Sequence, residues 1–87
     1  MKLSQTAQFK KDITRLVRQG KDQEKLLELV RALLADKPLP LKNRDHPLKG
    51  VWAGRRDCHI DPDWILIYRR TKDELRLERT GSHSDLF

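Results

Sequence analysis

Apolar side chains recur at helical spacing in the first half of the chain and at strand spacing in the second. Phe9, Ile13, Leu16 and Val17 fall on one stripe of a helix that Thr6 can cap and Gly20 can stop. Asp22 can cap a second helix, with Glu24 in the first turn where an acid suits the helix dipole. Leu26, Leu27, Val30, Leu33 and Leu34 form its expected buried stripe, and Pro38 and Pro40 close it. Two helices joined at Gly20-Lys21 predict an antiparallel hairpin.

A loop around Lys42–Gly50 ends the helical period. Residues 55–60 then read as a strand, and Asp61-Pro62-Asp63 is a turn signal. Residues 64–70 make a second strand, Thr71-Lys72-Asp73 turns the chain again, and residues 74–80 alternate charged and apolar side chains. The pattern predicts one α+β domain over residues 1–87: an N-terminal two-helix hairpin packed on a small C-terminal antiparallel sheet. Leu3 opens a short extra edge strand in this reading.

Composition narrows the class. The chain of 87 residues is 37% hydrophobic and 37% charged, lean but sufficient for one small core. Trp64-Ile65-Leu66-Ile67-Tyr68 is the longest apolar run, far short of the roughly 20 residues of a membrane span. No apolar stretch follows Lys2, so no secretory signal is read, and a cytoplasmic location without membrane contact is the expectation. Cys58 is the sole cysteine, which excludes an internal disulfide and a cysteine-rich zinc site. The net charge of +6 divides unevenly: residues 1–43 carry ten basic against five acidic side chains, residues 44–87 nine against eight. Such a balance attracts a polyanion such as RNA, DNA or an acidic protein, and equally describes solvated helix faces.

His46, His59 and His83 stand in three separate places near loops of the sheet half, where strand order can bring them together. Imidazole titrates near neutrality and can take up and return a proton at cellular pH. Alternation puts Arg55, Asp57 and His59 on one face of their strand and Arg56, Cys58 and Ile60 on the other. Asp57 is thereby a candidate to orient His59. Arg79 shares parity with Leu75 and Leu77, so it either lies past the core's edge or a bulge re-aims it. No HxH or HExxH spacing exists, which argues against a metal site, and no glycine-rich phosphate loop is present. Cys58 shares parity with Ile60 and reads as a buried thiol. Trp64 and Phe87 are either core residues or faces for base stacking.

Three segments, Asp45-His46-Pro47-Leu48-Lys49-Gly50, Arg56 through Tyr68, and Glu78-Arg79-Thr80-Gly81-Ser82-His83 through Leu86-Phe87, closely resemble the YafQ family. That family belongs to the RelE/ParE superfamily of bacterial toxins. The resemblance implies a RelE-like fold and cofactor-free, metal-independent endonucleolytic cleavage of mRNA in the ribosomal A site. His46, His59 and Asp63 would manage proton removal and hydrogen bonding near the attacking 2′-hydroxyl. His83 would protonate the leaving 5′-oxygen, and Arg79 would counter charge on the phosphorane. Trp64 and Phe87 would position nucleotides, and Asp57 would help orient His59. The implied partners are mRNA on the ribosome, with rRNA contacts, and a DNA-binding, autorepressing antitoxin. The toxin would be monomeric alone and oligomeric with its antitoxin. A non-catalytic basic binding module and a gyrase-poisoning relative of the ParE type are the competing readings.

Overall fold

The two long helices start where their capping side chains stand. The computed structural model describes residues 1–87, in the order β1 (Lys2–Gln5), α1 (Ala7–Arg18), α2 (Gln23–Leu34), β2 (His46–Pro47), β3 (Arg56–Asp61), β4 (Trp64–Arg70), β5 (Glu74–Gly81) and α3 (His83–Leu86). The Thr6 hydroxyl accepts from the Phe9 amide at 2.9 Å, and the Asp22 carboxylate accepts from the Glu24 amide at 3.1 Å. Gly20 ends α1 at φ +77, and the Gly20 and Lys21 amides donate back to the Val17 and Leu16 carbonyls. Helix α2 closes in the same way, although Asp36 rather than glycine takes the left-handed position at φ 54.

The sheet has five strands in the order β1-β5-β4-β3-β2 and is mixed. The meander β3-β4-β5 is antiparallel as expected, but β1 pairs parallel to β5, from Lys2 opposite Glu74 to Gln5 opposite Leu77. Two-residue β2 adds a fifth strand that no periodicity announced, with His46 opposite Asp57. Leu3 does open the short edge strand.

The helix-side core joins Phe9, Leu16, Leu26, Leu29, Val30 and Leu33 to Cys58, Trp64, Leu66, Tyr68, Leu75 and Leu77. The expected stripes need correction at their margins. Val17 and Leu27 are exposed and Leu34 is half-buried, while Leu29 takes the core position on α2. The second face of the sheet is smaller: Ile65 and Ile67 are sealed there by Leu86, with Leu48 and Trp52 packed alongside.

Asp12, on the buried stripe of α1, has no exposed surface. Its carboxylate accepts from Arg79 Nε and Nη2 at 2.8 and 3.1 Å, from Arg15 Nη1 at 3.1 Å and from the Thr80 amide at 3.2 Å. Burial raises its pKa, but the hydrogen bonds from Arg79, Thr80 and Arg15 outweigh that and leave it below the ordinary carboxylate value. Arg15 Nη2 also reaches the Thr80 carbonyl at 3.1 Å, so α1 is tied to the end of β5. A Cβ on the next residue, Gly81, would come within 2.7 Å of that same nitrogen. A side chain there would push the staple apart.

Removing one partner of a buried ion pair strands the others, at about 3–5 kcal/mol. Asp12→Ala is expected to cost about 3 kcal/mol in denaturant midpoint at unchanged slope. Because its folded pKa is depressed, the wild-type advantage is fully present above the ordinary carboxylate range. It shrinks as pH falls through the folded value. A midpoint within about 0.5 kcal/mol of wild type at pH 7 would contradict this.

Candidate active site

Two β-bulges shape the face of the sheet that the long helices leave uncovered. In β3 the register slips between His59, opposite Ile65, and Asp61, opposite Trp64, so Ile60 is the extra residue. In β5 it slips between Leu77, opposite Tyr68, and Arg79, opposite Ile67, so Glu78 is extra. The second bulge settles the Arg79 parity: it moves Arg79 off the row of Leu75 and Leu77 and opposite Ile67. Across this face run two rows, His46–Asp57–Ile67–Arg79 and His59–Ile65–Gly81. His83 stands just beyond the second, on the first turn of α3.

Ser82 caps α3 with a reciprocal pair of bonds, its hydroxyl accepting from the Asp85 amide and its own amide donating to the Asp85 carboxylate. That cap fixes the start of the turn. Asp63, in the β3–β4 turn, then accepts from the His83 amide at 3.0 Å and from His83 Nδ1 at 2.7 Å. These two bonds, the backbone one first, hold Asp63 below the ordinary carboxylate value, so it stays ionised at neutral pH. A carboxylate only accepts, so Nδ1 of His83 carries its proton and Nε2 faces His59. The two Nε2 atoms lie 3.2 Å apart, within hydrogen-bonding distance, with ring centroids 5.1 Å apart. His59 is buried, and its Nδ1 has no partner.

His46 is on the neighbouring row and half exposed. Its Nδ1 is 2.7 Å from the Arg44 carbonyl. A carbonyl also only accepts, so the neutral ring keeps its lone pair on Nε2. Asp57 Oδ1 lies 3.0 Å from the same Nδ1 yet accepts no hydrogen bond, since the one proton there is aimed at Arg44. Burial pushes the Asp57 carboxyl above its ordinary value, opposed by His46, His59 and His83. Asp57 is therefore the close neighbour of His46, and the expected hydrogen bond to His59 is not formed. Asp45, which precedes His46, is held by the Tyr68 hydroxyl at 2.7 Å and Arg56 Nε at 3.2 Å.

The remaining expected residues divide. Arg79 spends Nε and Nη2 on Asp12 and keeps Nη1 free of it. Trp64 is a correction: it is 1% exposed in the helix-side core, with Nε1 donating to Thr80 Oγ1 at 2.9 Å, and presents no face to a nucleotide. Phe87 is 59% exposed and meets Trp52 edge-on, with centroids 6.3 Å apart. Trp52 went unnoticed in the sequence, and Arg55, placed there only on a strand face, brings its guanidinium 5.9 Å from the Trp52 centroid. The signal was there in Gly50-Val51-Trp52-Ala53-Gly54, an aromatic in a loop ahead of a basic pair. Burial pushes the Cys58 thiol well up, out of reach of nucleophilic use at neutral pH. No group of three or more His, Cys, Asp or Glu is placed to hold a metal ion. No helix is long and apolar enough to cross a membrane.

Residues 1–87 match the family model of the bacterial toxin of type II toxin–antitoxin systems, YafQ. The chain is 47% identical over 83 residues to the mRNA interferase toxin YafQ of Escherichia coli K12, covering 94% of this chain and 90% of that protein. It is similar to the copper-bound L66S mutant toxin from Helicobacter pylori, with TM-score 0.95, 44% identity and coverage of 100% and 99%. YafQ in the E. coli DinJ–YafQ complex aligns with TM-score 0.92 and 45% identity, over 98% of this chain and 96% of that one.

Asp57→Asn should separate stability from catalysis. A carboxyl whose folded pKa is raised destabilises the fold increasingly as pH climbs from the ordinary carboxylate range through the folded value. The variant should thus be more stable than wild type at pH 7, with the gap closing as pH is lowered. Its activity should fall roughly tenfold, part of the 10²–10⁴ that acid–base catalysis supplies, because His46 loses its anionic neighbour. Paired melts at pH 4 and 7 measure the first effect. A variant less stable at pH 7 would count against it.

Proposed function

The chain belongs to the YafQ family of toxins from bacterial type II toxin–antitoxin systems, and from that premise we propose that it is an mRNA interferase cutting messenger RNA in the ribosomal A site. The observation that carries the reading is the Asp63–His83–His59 chain of contacts, with His46 on the same face. Two half-exposed imidazoles, each with its Nδ1 proton committed to an oxygen, present Nε2 for proton transfer. One can serve as base and the other as acid.

His46 Nε2 takes the proton of a ribose 2′-hydroxyl as the 2′-oxygen forms its bond to the adjacent phosphorus. The bond from phosphorus to the 5′-oxygen breaks, and His83, entering the step as the imidazolium with its Nδ1–H on Asp63, delivers its Nε2 proton to this oxygen. The products are a 2′,3′-cyclic phosphate and a 5′-hydroxyl. At rest His59 occupies the hydrogen-bonding position on His83 that the leaving oxygen takes over. The free Nη1 of Arg79, its charge held by the Asp12 hydrogen bond, faces the charge that builds on the phosphorane. Phe87 stacks on a base, worth on the order of 1–3 kcal/mol. All of this needs an acid, a base and a cation, and no metal.

The ribosome supplies the substrate strand, and an antitoxin restrains the toxin. YafQ of E. coli has a complex with DinJ. With a net charge of +6, this chain suits an acidic antitoxin segment that associates rapidly and in a salt-sensitive way.

Primer extension on a reporter mRNA, with and without translating ribosomes, tests the reading. Wild type should cut within the occupied A site, and His83→Ala should lose 10²–10⁴-fold while melting like wild type. A sulfur leaving group at the 5′ position needs little protonation, so it should partly rescue His83→Ala and leave His46→Ala inactive. A folded His83→Ala protein that cuts at the wild-type rate would sink the assignment.

A minimal RNA at high enzyme concentration tests the metal independence, since ribosomes themselves require magnesium. Cleavage should survive a strong chelator unchanged. Activity abolished by chelation and restored by copper, zinc or manganese would overturn the metal-free mechanism.

A further inference from the structure

A groove of about 400 Å³ opens beside His59, walled by Lys42, Asn43, Arg44, Ile60, Asp61 and Pro62. Its charges are unbalanced. The carboxylate on the wall, Asp61, is already held by Lys25 at 3.0 and 3.2 Å. Lys42 and Arg44 form no ion pair within the fold, so two free cations border His59. They ride on a loop pinned to the catalytic strand, because the buried Asn43 side chain donates to the His59 carbonyl at 2.6 Å.

Arg44 adds a second, independent feature. It sits in the left-handed region at φ 48 and ψ 44, a conformation that costs a non-glycine residue of order 1 kcal/mol or more. That twist turns its carbonyl to His46 Nδ1. Backbone and side chain of one residue therefore serve different ends: the carbonyl sets the His46 tautomer, and the guanidinium is left to the groove.

We propose that this groove is a substrate subsite that holds, with Lys42 and Arg44, a phosphate of the RNA strand neighbouring the cleaved linkage. The proposal rests on the RNA-cleaving reading of the histidine site. A strand cut between His46 and His83 has this groove beside it, and a phosphate flanking the scissile one can meet the free Lys42 and Arg44 there. An acidic peptide would also suit two cations, but it has no reason to lie in line with the scissile bond.

Translating ribosomes programmed with mRNA carrying a single neutral methylphosphonate, at one or other linkage flanking the cleavage site, provide the test. Arg44→Gly keeps the left-handed backbone, which glycine adopts freely, and removes only the guanidinium. It should raise KM about three- to fivefold while kcat moves little, and Lys42→Gln should do the same. Arg44→Val, which strains that backbone, should instead lower kcat through His46. One methylphosphonate should cost wild type the same three- to fivefold and cost Arg44→Gly nothing further.

Equal sensitivity of wild type and Arg44→Gly to both methylphosphonates would overturn the subsite and leave the nuclease reading standing. Unchanged mRNA kinetics in Arg44→Gly, with weakened affinity for the antitoxin, would overturn it by assigning the groove to a protein. A wild-type protein that leaves mRNA intact would bring down both readings together.

Discussion

A carboxylate with no surface in water must be answered inside the fold or it will not ionise there. Asp12 is answered from three directions, by Arg15 on its own helix and by Arg79 and the Thr80 amide on β5. This arrangement makes the first long helix and the last strand one mechanical unit. Thr80 lies three residues ahead of His83, so the position of this imidazole at one end of the chain is set by a helix at the other. Arg15 extends the tie to Asp85 at 3.5 Å, within the turn that carries His83. A Cβ at Gly81 would crowd the Arg15 guanidinium and the Asp85 side chain that make this tie.

Much of the scaffold was legible because its signals are local. Caps, stops and turn residues bracket the first helix, the start of the second and all three meander strands to within a residue or two, since Thr6, Asp22, Gly20 and Asp61-Pro62-Asp63 act through their own backbone neighbourhoods; α2 ends at Leu34, ahead of the expected Pro38. What escaped depends on distant partners. A polar residue on a helix stripe reads as solvated, and only the arrival of Arg79 makes Asp12 a core residue. Leu27 and Leu29 are equally apolar, and the sheet's position decides which is covered. Two-residue β2 has no period to read.

The site was legible in its members and less so in their pairings. Three histidines of the sheet half do share a face, as strand order allowed. The partnerships came out differently: His59 meets His83, and Asp57 sits by His46, because cross-strand register governs which side chains touch. Of the two readings left open for Trp64, core and stacking face, the core one holds, and a local signal carries it. Alternation alone ties it to Leu66 and Tyr68, and those two point at the helices. The Oδ1 of Asp57 and Nδ1 of His59 are buried polar atoms without partners, as are Arg15 Nε and Arg70 Nε away from the site.

The pairing of β1 with β5 brings together residues some seventy positions apart, Lys2 with Glu74 and Gln5 with Leu77. Such non-local closure comes late in folding, because the intervening chain must be gathered before the contact yields anything. During synthesis the N-terminal strand waits for its partner, and Asp12 waits for Arg79, until β5 has left the exit tunnel. A nascent copy therefore has neither a finished sheet nor a placed His83 while the ribosome is still elongating it. The topology withholds the finished fold until the last strand of the sheet is out.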